Sequence, residues 1–472
     1  MRSHRLRAAI IKASIVLFAA TTCGQFLGAE QKALSLEGAV AAALAGDPRI
    51  ESARWDELSA QEKAKEAELR KLPSLSLSAG YTRLSDVTST LDFPVYDPAT
   101  GGVSTYPYTM GSLDNSFSLN ANVQYPVFAG FRLRESAQLA HLQALGKGIA
   151  AEMIRRSIVF EAQRAYWEAK RATDNVAMLK ESLDLAMQNL DLTKTQVAQG
   201  TAMKVDFLSA QMRADQAQMD LDAGIAAQRR AFWNLAALVE PSSGSEAAPA
   251  ADPTPEASYS LTAEPQSVPD SRFPSLDEAE LLRLALANRP ETRSSALSAA
   301  AAEIGRKIAE APLYPTLSVS GSYVYADPNN RVYFQSDPWQ FTGTWSLSVL
   351  LSYDLGGLPA TLADREAQAD AAKKSRADDS NQREGVVLDV RTCLQGFLQA
   401  RKDYGLVSSM IDQAKENERV TEQRVAAGTA SNLDLLTARL ARLKVQFSIT
   451  NKLIDEQIAA ADLERAAALA KL

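Results

Sequence analysis

Two acidic residues stand at the same place in two nearly identical stretches of this chain. Asp206 lies in VAQGTAMKVDFLSAQ, residues 197–211, and Asp434 lies in VAAGTASNLDLLTAR, residues 425–439. Each follows a glycine and a threonine, Gly200 with Thr201 or Gly428 with Thr429, that interrupt a long helical pattern. Glycine ends helices well because it accepts a positive φ. An aspartate in the first turn of the next helix complements that helix's dipole, and Ser431 with Asp434 has the spacing of a capping box. The rest of the inventory offers little chemistry. The chain holds two cysteines, Cys23 and Cys393, and two histidines, His4 and His141. No metal-ligand spacing can be assembled from them, and no cofactor is expected. No nucleophile, acid–base pair or phosphate-binding loop stands out, so an enzyme is not expected. Cys393 falls in a helical run at the position that Ala165 holds in the other half, and reads as a small buried side chain. A net charge of -7 gives no basic footprint for nucleic acid.

The elements that carry these stretches are written twice. Pro48 and Pro73 are spaced as Pro290 and Pro315 are. The second proline of each pair opens a matching segment, PSLSLSAGYT or PTLSVSGSYV. Tyr125 opens YPVFAGFRLRESAQLA and Tyr353 opens YDLGGLPATLADREAQA, and each tyrosine lies 75 residues before its Gly-Thr pair. Such duplication predicts two similar units. The first repeat covers 30–240, and the second covers 275–472. The segment between them, 241–274, is rich in Pro, Ser, Ala and Glu and reads as an irregular linker.

Four segments alternate apolar and polar residues with period two: 74–83, 116–125, 316–325 and 344–353. Period two over about ten residues predicts β-strands. Their polar faces are small and uncharged, and aromatics (Tyr81, Tyr125, Tyr323, Tyr325, Trp345, Tyr353) gather near their ends. Length, polar face and aromatic ends together favour bilayer-crossing strands over a soluble sandwich. Four strands cannot close a barrel alone, and open edges in hydrocarbon cost several kcal/mol per unpaired group. Several copies must share one barrel. Two copies would give eight strands and a filled interior, whereas three would give twelve and an open lumen. Residues 84–115, between the first two strands, read as an external loop rich in Tyr, Pro and Asp.

Long proline-poor runs follow each second strand and predict helical hairpins over 133–239 and 361–472, broken only at the two Gly-Thr turns. Helical segments 49–72 and 291–313 lead into the strands. At the N-terminus, Arg2, Arg5 and Arg7 precede an apolar run over residues 8–20. This predicts an export signal over 1–29, with cleavage after Ala29. Processing before Cys23, with lipidation of its thiol, is the alternative.

This plan resembles the outer-membrane efflux family, the TolC-like channels. The resemblance rests on the paired starts GDPRI and NRPET, the proline before strands one and three, the exits YPVFAG and YDLGG, and the two Gly-Thr turns. It implies an α+β membrane protein: a homotrimer whose 12-stranded β-barrel, four strands per chain, continues into a long periplasmic α-helical barrel. It places the protein in the outer membrane of a Gram-negative bacterium, in contact with outer-membrane lipids. The implied partners are a periplasmic adaptor protein and an inner-membrane transporter, and the implied function is passive efflux or type I secretion. Gly200, Thr201, Gly428 and Thr429 would form the periplasmic tip that meets the adaptor. Asp434, with Asp206 as the acid of the first repeat, would be the candidate gate. The second acidic position of the family's gate is Thr437 here. A periplasmic coiled-coil adaptor or scaffold without its own pore is the competing reading. The duplication and the four alternating strands count against it.

Overall fold

The computed structural model describes residues 32–85, 87, 89–110, 114–240, 259–273, 276–329, 331 and 340–469. The expected export signal, Cys23, His4 and residues 241–258 of the expected linker lie outside the described residues. In chain order the elements begin with β1 (Lys32–Leu34), α1 (Leu36–Gly46), α2 (Pro48–Leu69), β2 (Ser74–Arg83) and β3 (Ser89–Asp97). Next come β4 (Gly102–Met110), β5 (Asn115–Ala129), α3 (Arg132–Ala198), α4 (Lys204–Val239) and β6 (Tyr259–Leu261). The chain continues through α5 (Glu278–Asn288), α6 (Pro290–Ala309), β7 (Thr316–Asp327), β8 (Thr342–Ser352), α7 (Leu358–Ala426) and α8 (Asn432–Ala466).

The long helices follow from composition. α3 runs for 67 residues without a proline, and α7 runs for 69 with its one proline in the first turn, where a missing N–H costs nothing. The return helices are shorter, at 36 and 35 residues. α8 stops at Ala466 rather than continuing to 472. Leu469 N donates to Glu464 O at 2.9 Å, and Ala468 takes a φ of 56°, a Schellman-type stop made without glycine.

The chain forms two compact units. Among the described residues, one draws on the chain up to Ser52, on 151–290 and on the chain from Arg383 onward, the other on Ala53–Ala150 and Glu291–Gln382. In the first unit β1 pairs in parallel with β6, Lys32 opposite Tyr259 and Leu34 opposite Leu261. The buried Tyr166 of α3 donates its hydroxyl to Leu34 O at 3.2 Å and accepts from Ala263 N at 2.8 Å. Val268 and Phe273 enter a core with Leu281, Val390, Phe397 and Leu463. Fully buried Glu456 accepts from Val268 N at 3.3 Å. Within the linker expected over 241–274, residues 259–273 are thus held against the helices, and 262–269 have no regular secondary structure. Apolar anchors spaced among the prolines and serines hold that stretch against the helices.

Polar links in the same unit run from helix to helix. Gln228 of α4 donates to Thr173 of α3 at 3.2 Å. Arg171 of α3 meets Asp455 of α8 at 2.6 Å, and Arg442 of α8 meets Glu418 of α7 at 2.5 Å. These links join α4 to α3, α3 to α8, and α8 to α7.

The second unit holds a four-stranded antiparallel sheet in the order β2-β5-β7-β8. The external loop expected over 84–115 is instead largely a β-hairpin. β3 and β4 pair from Ser89 opposite Met110 to Asp97 opposite Gly102. STLDFPVYD and GVSTYPYTM alternate on either side of a Pro-Ala-Thr-Gly turn, the pattern of a hairpin.

Candidate functional site: an exposed apolar sheet and two helix turns

Register sorts the sheet into two faces. Leu75, Leu77, Ala79 and Tyr81 of β2 lie opposite Val123, Ala121, Leu119 and Phe117 of β5. Leu119, Ala121, Val123 and Tyr125 then lie opposite Tyr325, Tyr323, Gly321 and Val319 of β7. Val319, Gly321 and Tyr323 face Val349, Leu347 and Trp345 of β8. At these positions the face is apolar, and much of it is bare: Leu77 is 71% exposed, Trp345 74% and Leu347 68%. The opposite face carries Ser74, Ser76, Ser78, Asn120, Asn122, Gln124, Ser318, Ser320, Ser322, Ser346 and Ser348, with no charge among them. A soluble sheet buries its apolar face against a second layer. Here the apolar face is the open one, at bilayer-crossing strand length.

The edges of this sheet are also open. β2 and β8 are its outer strands, and neither contains a proline. Their only charge is Arg83, at the end of β2. Soluble proteins blunt such edges with proline, charge or bulges. These edges are left able to pair.

The two helix turns in the first unit share one backbone geometry. Gly200 and Gly428 have φ of 74° and 71°. Thr201 N donates to Gln196 O at 2.9 Å and Gly200 N to Val197 O at 3.0 Å. Thr429 N donates to Arg424 O at 2.8 Å and Gly428 N to Val425 O at 3.0 Å. Both are Schellman motifs. Each threonine hydroxyl adds a bond to the same carbonyl, at 3.0 and 3.1 Å. A Cβ at either glycine would meet nothing within 4 Å, so the requirement for glycine is one of backbone conformation alone.

The next helices start differently. Asp434 Oδ2 accepts from Ser431 N at 2.8 Å and from the Ser431 hydroxyl at 2.8 Å, while Ser431 Oγ accepts from Asp434 N at 3.2 Å. This full capping box, backbone bond first and hydroxyl second, holds the exposed Asp434 carboxyl below its usual range. Asp206 makes half of the same device. Its Oδ2 accepts from Met203 N at 3.0 Å, and the Met203 side chain gives no cap bond in return. Both aspartates are exposed. Thr437 donates its hydroxyl to Leu433 O at 2.8 Å.

Cys393 is buried, with its thiol 3.4 Å from Asp462 Oδ2 and 3.7 Å from Asp389 Oδ1. Burial first, and then the charges of those two carboxylates, push the thiol up to about 12. A thiol so protonated is a poor nucleophile. Among the described residues no group of His, Cys, Asp and Glu could hold a metal ion. No described helix is long and apolar enough to cross a membrane.

A model of the outer membrane efflux protein family matches residues 39–239 and 281–469. The chain belongs to this family. As an outer membrane efflux protein it is 23% identical over 390 residues to nodulation protein T of Rhizobium leguminosarum bv. trifolii, spanning 81% of this chain and 74% of that protein. The outer membrane channel CmeC of Campylobacter jejuni superposes with a TM-score of 0.73 at 15% identity, over 92% of this chain and 85% of that one. The outer membrane protein VceC of Vibrio cholerae superposes with a TM-score of 0.70 at 19% identity, over 92% and 95% of the two chains. At these identities the superpositions show the fold.

One surface of this efflux protein escaped the sequence reading. Val205, Leu208, Met212 and Met219 of α4 are 66%, 48%, 73% and 58% exposed. Their spacing places them on one face of the helix. On α7, Leu388, Leu406, Met410 and Val420 form a similar exposed stripe. Apolar residues at 205, 212 and 219, seven apart, were the available signal. It was obscured because nearly every helix here is rich in leucine and alanine.

Proposed function

We propose that three copies of this chain form one passive export duct in the outer membrane. The observation that carries this reading is a four-stranded sheet whose apolar face and two edges are all open. In hydrocarbon such edges must pair. Pairing β8 of one copy with β2 of the next is head-to-tail, a contact that closes into a ring when its rotation divides the circle. Three copies give twelve strands and a lumen lined by the serine and asparagine face. The helices of the first unit support the same order. There too the outer elements come from opposite halves, α4 and α7, and each bears an exposed apolar stripe suited to its counterpart on the next copy.

In this reading the duct docks to a periplasmic adaptor and an inner-membrane transporter that supplies the energy. Gly200, Thr201, Gly428 and Thr429 form the surface that the adaptor meets, and Asp206 and Asp434 line the entrance while capping α4 and α8. A poreless periplasmic scaffold leaves the bare apolar sheet unexplained.

The test is a pair of substitutions on β8. An arginine on the lipid side of a barrel costs about 2–4 kcal/mol at the bilayer midplane. Leu347→Arg should therefore remove the protein from the outer-membrane fraction, while Ser348→Arg, on the opposite face, should leave it there. Equal behaviour of the two variants would contradict the membrane assignment.

A further inference from the structure

Among the described residues, the β3–β4 hairpin pairs with no other strand. It leaves β2 after Arg83 and returns at Asn115 of β5, the end of the sheet remote from the junctions with α2, α3, α6 and α7. A two-stranded hairpin alone in water is marginally stable, so what covers it matters. One face carries Leu91, Phe93 and Val95 of β3, with Tyr106 of β4 opposite Phe93. Leu91 is 49% exposed, Val95 46% and Tyr106 62%. Its sequence contains no lysine or arginine and only two acids, Asp92 and Asp97. Nothing in it would attract an anionic surface.

The edges of the hairpin are closed to strand addition. Pro94 lies opposite Thr105 and Pro107 opposite Asp92, so the two prolines occupy alternate rungs of one kind. In a paired strand, proline is tolerated where its nitrogen points outward. Each outer edge therefore lacks a donor near its middle. A partner must come onto the face.

We propose that this face packs against the same face of the other two copies, so that three hairpins form a cap over the external end of the barrel. This rests on the trimeric reading above. Each hairpin springs from β2, the strand at which neighbouring copies join in that reading. Its nine-residue strands reach about 30 Å. A twelve-stranded barrel, with strands about 4.8 Å apart and tilted by about 40°, has a radius of only about 12 Å. A hairpin leaning inward meets its two equivalents at the axis. The occupant is a second copy of the chain.

Cross-linking on isolated outer membranes tests this, with Tyr106→Cys as probe and Thr105→Cys, on the other face, as control. Val95→Cys is a second probe should the first fold poorly, and the unsubstituted chain is the blank. A short bis-maleimide should join chains through Tyr106→Cys and Val95→Cys at least ten times more than through Thr105→Cys. Native mass of each variant is read in parallel. If particles hold three chains but probe and control cross-link equally, the cap is overturned and the trimer stands. If particles do not hold three chains, the trimer falls and the cap with it.

Discussion

The two halves of this chain share one order of helices and long strands, yet equal positions in them face different surroundings. Leu208 and Leu436 occupy the same place after the two Gly-Thr turns. Leu208 is 48% exposed and Leu436 is 7% exposed. Met203 and Ser431 occupy the same N-cap, and only Ser431 returns a bond to its aspartate. Between its two sheet strands the first half inserts the β3–β4 hairpin. The turn itself, with positive-φ glycine and threonine, is the same in both. The backbone of the duplicated hairpin has been kept, while the side chains have diverged according to what each copy must touch. α8 is linked to both α3 and α7, whereas the apolar stripe of α4 is exposed in the single chain.

The sharpest way to break this comparison is to place a charge at the two leucines. Burying an unpaired carboxylate is among the few changes that cost more than about 4 kcal/mol. Leu436→Asp should therefore prevent the helical unit from folding, seen as loss of a cooperative thermal transition by circular dichroism. Leu208→Asp should change the folding of the single chain by no more than about 0.5 kcal/mol, yet abolish its oligomer on native gels. An intact oligomer for Leu208→Asp would show that the α4 stripe is not an interface.

A smaller effect separates the caps. Ser431→Ala should cost about 1 kcal/mol at the start of α8, whereas Met203→Ala should be close to neutral. Amide hydrogen exchange in the first turns of α4 and α8 reads the difference directly. The Asp434 carboxyl is depressed below its usual value. The stability it gives is thus fully present above the unfolded aspartate range, near pH 3.9, and fades as pH falls through the lower folded value. The protection at α8 should hold at neutral pH and weaken only in strong acid. Equal loss in the two alanine variants would mean that the full box adds nothing.

The legible parts of the sequence were those with local signals. Period-two alternation marked β2, β5, β7 and β8, and glycine with threonine marked both turns. The β1–β6 pair is only three residues long on each side and joins Lys32 to Tyr259, so no local pattern announces it. The hairpin was hidden by its composition, because tyrosine, proline and aspartate also describe a loop. The capping role of Asp434 was readable from its spacing to Ser431, but the missing half of the box at Met203 needed the geometry.

In the proposed function this chain is one third of a channel. Native mass measurement on protein extracted from outer membranes tests it most directly. Particles of three chains, held together without any other protein, are expected. Particles of one, two or four chains would contradict it.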